Sequence, residues 1–436
     1  MGNESYQALQ KDNALWNLGF NVIKELETDL GILASGKNEI YGCIFGRDSL
    51  ITSLKLLKVY ENTGDAYFLT LVKKVLRNLS ILQGKEINIE SGEEPGKCIH
   101  EYRPANHEHL TKNAKFPWYI YPDNIMRNFD SVDSTPLFLI TAYRYWQISK
   151  DDQFMSEILP NIRLAIDWIL KYSDNNNDGF IDYWLNPERK HGGLTTQSWM
   201  DSRESVFHED GTTPSYPIAP VEAQSYAFLA LRLWSNYFAA TETPLSEHLD
   251  SEADRLKKRF NETFTIREGE TISLAAGIDG AGKLLTSARS SMGHCLWASL
   301  EEIDGGRESI ISDEFIPAIV NRLLSPDLFA PQAGIRTLST SSRAYSPQSY
   351  HNGSIWPHDT SIVAGGFEIF GFKHEADQVR RALISALTHF NTPIELFVYA
   401  DDKFSEYLSP LGQGACKKQA WSAAALLKEV LFTAVA

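Results

Sequence analysis

Residues 164–170 read Leu-Ala-Ile-Asp-Trp-Ile-Leu, and residues 250–256 read Asp-Ser-Glu-Ala-Asp-Arg-Leu. In both stretches the apolar side chains recur at the spacing of an α-helix. The first stretch is almost wholly apolar and predicts a buried helix, whereas the charges of the second predict the opening of an amphipathic helix. The fold is therefore expected to be built from helices.

Helix-period patterns recur along the whole chain, separated by loops that hold most of the Gly, Pro and Asn. About twelve such segments are predicted, and strands are expected to be few and short. The predicted starts are Tyr6, Asp48, Ala66, Ser134, Gln153, Pro220, Ser246, Met292, Glu314, Ser354, His374 and Lys418. Alternating pairs of helices without a low-complexity linker predict one all-α domain over residues 1–436, an (α/α)6 toroid of six helical hairpins.

Three loops separate this architecture from an α-solenoid, which also stacks helical hairpins. They cover residues 85–130, 186–219 and 325–353, and they are long, unequal and rich in aromatic and charged side chains. Long loops in a compact domain usually carry function. If every second connection is long, these loops emerge on one face of a closed ring, where we expect a deep cleft.

Composition narrows the classes of partner. A chain of 436 residues with 43% apolar content can bury a large core, and its formal charge of -15 opposes binding to phosphate backbones or anionic lipid. No apolar run reaches the roughly 18 residues that span a bilayer, and the polar start does not resemble a secretory signal. We expect a soluble, cytoplasmic protein with no nucleic-acid or membrane partner, and its oligomeric state is left open.

Neither the cysteines nor the histidines indicate a metal site. The four cysteines are Cys43, Cys98, Cys295 and Cys416. They are far apart and lack CxxC spacing, which predicts reduced structural thiols, and the histidines form no HExxH motif. Residues 174–182 imitate the first half of a calcium-binding EF-hand loop, but Leu185 at position twelve cannot supply the bidentate carboxylate. A polar turn is favoured over a Ca²⁺ site, and no cofactor is expected.

Carboxyl groups in aromatic-rich loops are candidates for acid–base chemistry on a sugar. Hydrolysis of a glycosidic bond needs two of them, and nearby aromatic rings both pack on sugars and desolvate an acid. Residues 196–208 fit this description, with Asp201 and Glu204 as their carboxyls, although an acidic helix cap or surface loop is the more ordinary interpretation of the spacing alone. A second cluster consists of Glu395, Asp401, Asp402 and Glu406. Composition does not choose among these.

Three further segments combine charged, polar and aromatic side chains. Residues 45–50 place an Arg-Asp pair at a helix start, where a capping ion pair is an equal alternative. Residues 98–103 alternate charged and apolar side chains, so that Glu101 and Arg103 point to one side of a short strand. Residues 350–359 combine donors, acceptors and two aromatic residues around a turn. Such a mixture suits a polyhydroxylated ligand.

Eight segments, taken in order, resemble the landmarks of the glycogen-debranching amylo-α-1,6-glucosidases. They are residues 45–50, 94–97 running to 100–103, 131–137, 199–202, 220–222, 334–339, 350–357 and 419–422. They span nearly the whole chain, and their number and order make the match specific. The looser likeness extends to glucoamylases and related α/α-toroid glycosidases.

This resemblance implies an (α/α)6 toroid that cleaves an α-glucosidic bond with inversion of configuration. The aspartate of the Trp-Met-Asp motif is Asp201, which becomes the general acid. The glutamate of a Pro-Glu-Leu motif shortly before Gln-Ala-Trp-Ser is Glu395, which becomes the general base. Because the proline is replaced by Ile394 here, this assignment rests on position, and Glu406 stays an alternative.

The resemblance also implies a set of substrate-binding residues. Arg47 and Asp48 match a pair that grips the hydroxyls of the sugar at the cleavage point. The other residues implied at the pocket are Glu101, Arg103, Asp133, Trp199, Glu222, Tyr350, His351, Asn352 and Trp356.

Inversion makes a geometric prediction, because the two carboxyl groups then stand about 6.5 to 9.5 Å apart to admit the attacking water. We predict that Asp201 and Glu395 meet across the cleft at that separation. Burial against Trp199 should raise the pKa of Asp201 so that it holds a proton, while Glu395 must stay ionised.

The substrate remains open. Larger bacterial relatives often begin with a β-sandwich domain, and the segment before Phe45 is too short for one, so polymeric glycogen is less expected. A small α-glucoside, such as a disaccharide or a glucosylated compatible solute, is the alternative substrate. A non-catalytic carbohydrate-binding protein is the alternative class.

Overall fold

A computed structural model describes residues 13–269, 271–301 and 306–434 of the chain. Within these ranges the protein is mostly helical, as predicted. The helices are α1 (Ala14–Leu26), α2 (Gly46–Thr63), α3 (Ala66–Ile81), α4 (Glu108–Thr111), α5 (Ser134–Ser149), α6 (Asp152–Lys171), α7 (Val221–Phe238), α8 (Thr243–Thr263), α9 (Ser291–Trp297), α10 (Ile316–Leu323), α11 (Pro357–Ile369), α12 (Lys373–Phe390) and α13 (Ala420–Ala434).

The strands are short, as predicted, but more numerous than expected. They are β1 (Glu27–Thr28), β2 (Gly31–Ile32), β3 (Ile44–Phe45), β4 (Glu101–Arg103), β5 (Met126–Asn128), β6 (Ile218–Pro220), β7 (Thr265–Glu268), β8 (Thr271–Leu274), β9 (Gly277–Asp279), β10 (Leu284–Leu285), β11 (Leu300–Glu301), β12 (Arg307–Glu308), β13 (Phe329–Ala330), β14 (Gly334–Ile335), β15 (Phe397–Ala400) and β16 (Lys403–Glu406). They form two three-stranded sheets, β3-β4-β5 and β10-β9-β6, and antiparallel hairpins. Elements of two to four residues are too short to leave an alternating pattern, which is why the sequence did not reveal them.

Helical periodicity located the helices well. Eleven of the twelve predicted starts lie within three residues of an observed start. The twelfth, Tyr6, lies outside the described residues, and the first described helix begins at Ala14. Within the described ranges, no helix has the length and apolar character needed to cross a membrane.

The chain divides into two compact units. The first unit comprises residues 1–173, 183–201 and 416–436, and the second comprises residues 174–182 and 202–415, as far as these are described. The predicted single domain and the closure of the helices into a toroid stay predictions.

In the first unit, three central helices pack in the order α13, α2, α5, and each carries an amphipathic helix, namely α1, α3 and α6. The central helices bury side chains on all sides, whereas α3 buries one face through Phe68, Leu71, Val75 and Leu79, which recur at helical spacing. Small residues bring α1 and α13 together, because a Cβ added at Gly19 would lie 3.1 Å from the carbonyl oxygen of Ala423.

One prediction about this unit was partly wrong. Residues 164–170 do lie in a helix, α6, but only one of its faces is buried. Ala165, Ile166 and Trp168 face the core, whereas Leu164 is 43% exposed. The stretch contains too few polar residues for the exposed face to be recognised from composition, so a peripheral helix resembled a buried one.

The second unit repeats the arrangement with the hairpins α7–α8, α9–α10 and α11–α12, whose central helices pack in the order α7, α9, α11. A buried hydrogen-bonded chain joins these three helices. His294 Nδ1 lies 2.5 Å from the hydroxyl of Tyr226, and His294 Nε2 lies 2.8 Å from Asp359 Oδ1. Within the described ranges, each unit therefore contains three pairs of packed helices.

Connections alternate in length, as predicted. Inside the hairpins they are mostly short, such as residues 64–65 between α2 and α3. Between the pairs they are long and cover residues 27–45, 82–133, 172–220, 264–290, 324–356 and 391–419. The exception is the link from α9 to α10, which includes β11 and β12. The long connections carry most of the predicted site residues.

Candidate active site

Asp201 ends the loop of residues 183–201 in the first unit, where the buried Arg47 at the start of α2 holds it. Arg47 donates from Nη1 to Asp201 Oδ2 at 3.0 Å, from Nε to Asp133 Oδ2 at 2.7 Å, and from Nη2 to the carbonyl oxygen of Ser198 at 2.8 Å. The guanidinium therefore joins the loop that ends at Asp201 to Asp133, the residue directly before α5. Its ion pairs with Asp133 and Asp201 join it to other segments, so a local capping pair with Asp48 does not describe its role.

Asp48 is directed elsewhere in the same unit. Its Oδ2 accepts a hydrogen bond of 3.2 Å from Nε2 of Gln419, just before α13. Because α13 and α2 pack against each other, this contact places Asp48 between the two central helices at the end where Arg47 also lies. Arg47 and Asp48 therefore lie at the same end of α2, but Arg47 pairs with Asp133 and Asp201 whereas Asp48 accepts from Gln419.

The environment of Asp201 opposes its ionisation. Burial raises its pKa to about 6, against the opposing attraction of Arg47, and the negative charge of Asp133 adds to the rise. The side chain still keeps 26% of its surface exposed, so a ligand can reach the carboxyl. Trp199, two residues earlier, is fully buried. Asp201 therefore has the accessibility and the raised pKa that a general acid needs.

Asp130 fixes the loop that leads to Asp201. Its carboxylate accepts from Arg189 at 2.7 and 3.1 Å and from the backbone N–H of Leu194 at 2.9 Å. The N–H of Val132 donates to the carbonyl oxygen of Gln197 at 3.0 Å. No sequence motif indicated Asp130 or Arg189. Asp130 lies three residues before Asp133 within a polar run, and that proximity was the only available signal.

Glu101 and Arg103 form a buried ion pair on β4, on the same side of the strand, as the alternation predicted. The thiol of Cys43 also donates to Glu101, over 3.7 Å. Burial raises the pKa of Glu101 and that of the Cys43 thiol. All four cysteines are free and buried, in agreement with the predicted structural thiols.

Glu395 lies in the second unit, in the turn before β15, and is only 2% exposed. The hydroxyl of Tyr350 donates to its Oε1. The other carboxyls of its cluster are exposed, and Glu406 belongs to the solvent-facing strand β16. Glu395 is thus the one member of this cluster that is buried.

Residues 350–356 form a compact aromatic loop around this carboxyl. The rings of His351 and Trp356 stack with centroids 4.9 Å apart, and Tyr350 meets Trp356 edge-on at 4.9 Å. Trp356 Nε1 donates to the carbonyl oxygen of Tyr350 at 3.0 Å, which fixes the backbone that carries the tyrosine. Asn352 and Glu222 are also buried in this unit.

The segment that follows Asp201 in the chain contacts this loop. The N–H of Ser202 donates to His351 Nδ1 at 3.2 Å, and Asn352 Nδ2 donates to the carbonyl oxygen of Glu204 at 2.8 Å. Glu204 itself is exposed. The buried Arg289, which no sequence motif indicated, contacts both residues 202–205 and residues 350–352. Nothing in the spacing around it could have distinguished it from a surface arginine.

Asp174, Asp178 and Asp182 are the one cluster in the described ranges compact enough to hold a metal ion, with carboxylate oxygens within 4.8 Å of one another. Their carboxylates already serve the turn, because Asp174 accepts from the N–H of Gly179 at 2.8 Å and Asp182 accepts from Asn175. Burial raises the pKa of Asp182 to about 7. The arrangement agrees with the predicted polar turn, while the absence of a cofactor stays a prediction.

Solved structures share this fold at low identity. The GH63 mannosylglycerate hydrolase from Thermus thermophilus in complex with Tris and D-glycerate aligns with a TM-score of 0.64 and 12% identity, covering 95% of this chain and 99% of that chain. The same enzyme in complex with glucose gives 0.61 and 12%, with the same coverage. A wild-type glycosidase gives 0.56 and 12%, covering 99% and 98%. These alignments show a common fold.

The sequence itself matches a family. Comparison with curated proteins gives no significant match. Residues 116–428, more than half of the chain, match the sequence profile of the amylo-alpha-1,6-glucosidases (GDE_C). The resemblance stated from the motifs is thereby confirmed. The chain belongs to the amylo-alpha-1,6-glucosidase family of glycoside hydrolases.

Proposed function

We propose that this protein is an inverting glycosidase that cleaves an α-glucosidic bond on an (α/α)6 toroid, with Asp201 as general acid and Glu395 as general base. The observation that carries the proposal is the state of Asp201, an accessible carboxyl whose pKa is raised to about 6 by burial although an arginine binds it. A structural ion pair is normally accompanied by a lowered carboxyl pKa, whereas a general acid needs a pKa near the working pH.

In this mechanism Arg47 positions the acid. Three of its five N–H donors are used by the protein, on Asp133, Asp201 and Ser198. The resemblance assigns sugar hydroxyls to the same guanidinium. Asp201 gives its proton to the glycosidic oxygen as the bond to the anomeric carbon breaks. Arg47 then stabilises the carboxylate that is left.

Two observations favour Glu395 over Glu406 as the base. Glu395 is buried under an aromatic loop and is oriented by the hydroxyl of Tyr350, whereas Glu406 is exposed on β16. A base must hold one water in a fixed direction, and an oriented carboxylate does this better than a mobile one. The chemistry requires Glu395 to take a proton from water on the face of the sugar opposite the leaving group.

Two substrate classes fit this chemistry. The family favours an α-1,6-linked glucoside in a branched glucan. A small α-glucoside is the second candidate, because the fold is shared with a mannosylglycerate hydrolase that was solved with D-glycerate bound. In both cases we propose a carbohydrate substrate and chemistry without a cofactor, so EDTA treatment should leave kcat unchanged.

The test is a panel of branched dextrin, isomaltose, maltose and glucosylglycerate, assayed for glucose release by the wild type and by Asp201→Asn. We expect hydrolysis of at least one substrate and its loss in the variant. Unchanged hydrolysis in Asp201→Asn would exclude this residue as the acid. A wild type that binds glucose but hydrolyses none of the panel would contradict the enzyme proposal and favour a binding protein.

A further inference from the structure

Arg289 lies just before α9 in the second unit and is only 4% exposed. Its Nη1 donates to the carbonyl oxygen of His351 at 2.9 Å. Its Nη2 donates to the carbonyl oxygen of Ser205 at 2.5 Å and to Asn352 Oδ1 at 2.8 Å. The guanidinium also lies over the ring of Phe207, 5.3 Å from its centroid. One buried side chain thus contacts two segments that are far apart in sequence.

These two segments adjoin the two proposed catalytic groups. Residues 202–205 continue the chain directly from Asp201. Residues 350–352 begin with Tyr350, whose hydroxyl binds Glu395. The two segments also bind each other directly, through the Ser202–His351 and Asn352–Glu204 hydrogen bonds described above. Arg289 adds a bridge to these two direct contacts, with one hydrogen bond to residues 202–205 and two to residues 350–352.

The chemistry of these contacts requires an arginine. The three acceptors are carbonyl or amide oxygens on the two segments. The planar guanidinium reaches all three with separate N–H donors, whereas lysine has a single ammonium group. Burial lowers the pKa of Arg289 to about 10, with opposing contributions from Glu222, Glu209 and Glu204, so the group is charged at neutral pH. A charged donor forms stronger hydrogen bonds to carbonyls than a neutral one.

We infer that Arg289 is a positioning residue that holds segments 202–205 and 350–352 of the second unit together, and through Tyr350 sets the direction of Glu395. This inference rests on the proposed function for its catalytic consequence. Its structural part, the ordering of the two segments, is independent of the reaction. Because small displacements of reacting groups are costly, loss of the guanidinium should lower kcat far more than substrate binding.

The test compares Arg289→Met, Arg289→Lys and the control Arg380→Met. Arg380 is also 4% exposed in the second unit, but it pairs with Asp377 and Glu368 at α12 and α11, outside the site. Hydrogen exchange of the backbone amides of 202–205 and 350–352 reports on the segments, and kcat and KM are measured below the melting temperature of every variant.

For Arg289→Met we expect faster exchange in both segments, a kcat lowered about 100-fold and a KM changed less than about threefold. Arg289→Lys should recover little of kcat. Arg380→Met should lose thermal stability but retain both exchange in these segments and kcat.

Unchanged exchange in Arg289→Met would overturn the inference, and so would faster exchange with an unchanged kcat. An inactive wild type would instead contradict the proposed function. The exchange data alone would then decide whether Arg289 orders the two segments.

Discussion

Asp201 and Glu395 are the same kind of group in two different settings. Asp201 is partly exposed and is bound by the cation of Arg47, yet burial keeps its pKa at about 6. Glu395 is almost completely buried and is bound by the neutral hydroxyl of Tyr350. At Asp201, the attraction of Arg47 opposes the effect of burial on the pKa. At Glu395, the hydroxyl of Tyr350 orients the carboxyl without adding a charge. The opposite tasks that we propose for these two carboxyls need such unequal environments.

The largest effects are expected from removing each carboxyl. Asp201→Asn and Glu395→Gln should each lower kcat on a natural α-glucoside about 1,000-fold, because each removes one partner of acid–base catalysis. Steady-state hydrolysis, with circular dichroism as the folding control, measures this.

A substrate that needs no acid separates the two roles. With α-glucosyl fluoride, whose leaving group requires little protonation, Asp201→Asn should regain most of its rate, whereas Glu395→Gln should stay inactive. The reverse pattern would exchange the two assignments.

The pH profile tests what Arg47 does to Asp201. Because the general acid must be protonated, kcat/KM should fall as the pH rises through about 6. Arg47 favours the ionised form, so Arg47→Met should raise the pKa of Asp201 and move this alkaline limb to higher pH, while Arg47→Lys, which keeps a charge, should move it less. A limb that stays in place in Arg47→Met would show that Asp201 is not the titrating acid.

A smaller effect is expected from the partner of the base. Tyr350→Phe removes one hydrogen bond from a neutral donor to the Glu395 carboxylate, while keeping the ring that packs on Trp356. Because the acceptor is charged, the loss of about 1.5 kcal/mol should lower kcat about tenfold with KM nearly unchanged. Tyr407→Phe, which alters a neighbouring ring 5.4 Å from Tyr350, is the matched control. An equal loss in both variants would mean that packing, and not the hydroxyl, is responsible.

The smallest effect should come from the rival carboxyl. Glu406→Gln changes an exposed group on β16, and kcat should stay within about twofold of the wild type. Assayed beside Glu395→Gln on one substrate, it decides between the two glutamates. A large loss in Glu406→Gln together with an active Glu395→Gln would transfer the role of base to Glu406.

The sequence predicted what local patterns encode. For helices such as those beginning at Ala66 and Ser134, the predicted and observed first residues coincide, because periodicity and capping act over a few positions. Asp201 and Glu395 were assigned from motifs, because no helical or strand pattern marks either position. Their roles came from the resemblance and stay predictions.

Long-range partners could not be predicted. Arg47 and Asp201 are 154 positions apart, and Arg289 lies 62 positions from His351. A single sequence contains no signal that links such positions, since folding alone brings them together. The contacts that Asp130, Arg189 and Arg289 make within their own units therefore became visible only in three dimensions.

The central claim is that water attacks the sugar in a single displacement, activated by one carboxylate while the other protonates the leaving group. Proton NMR of the first glucose released from an α-glucoside, recorded before mutarotation, tests it directly. An inverting reaction by Asp201 and Glu395 predicts β-glucose as the initial product. Initial release of α-glucose would contradict inversion and with it the assignment of Glu395 as a general base.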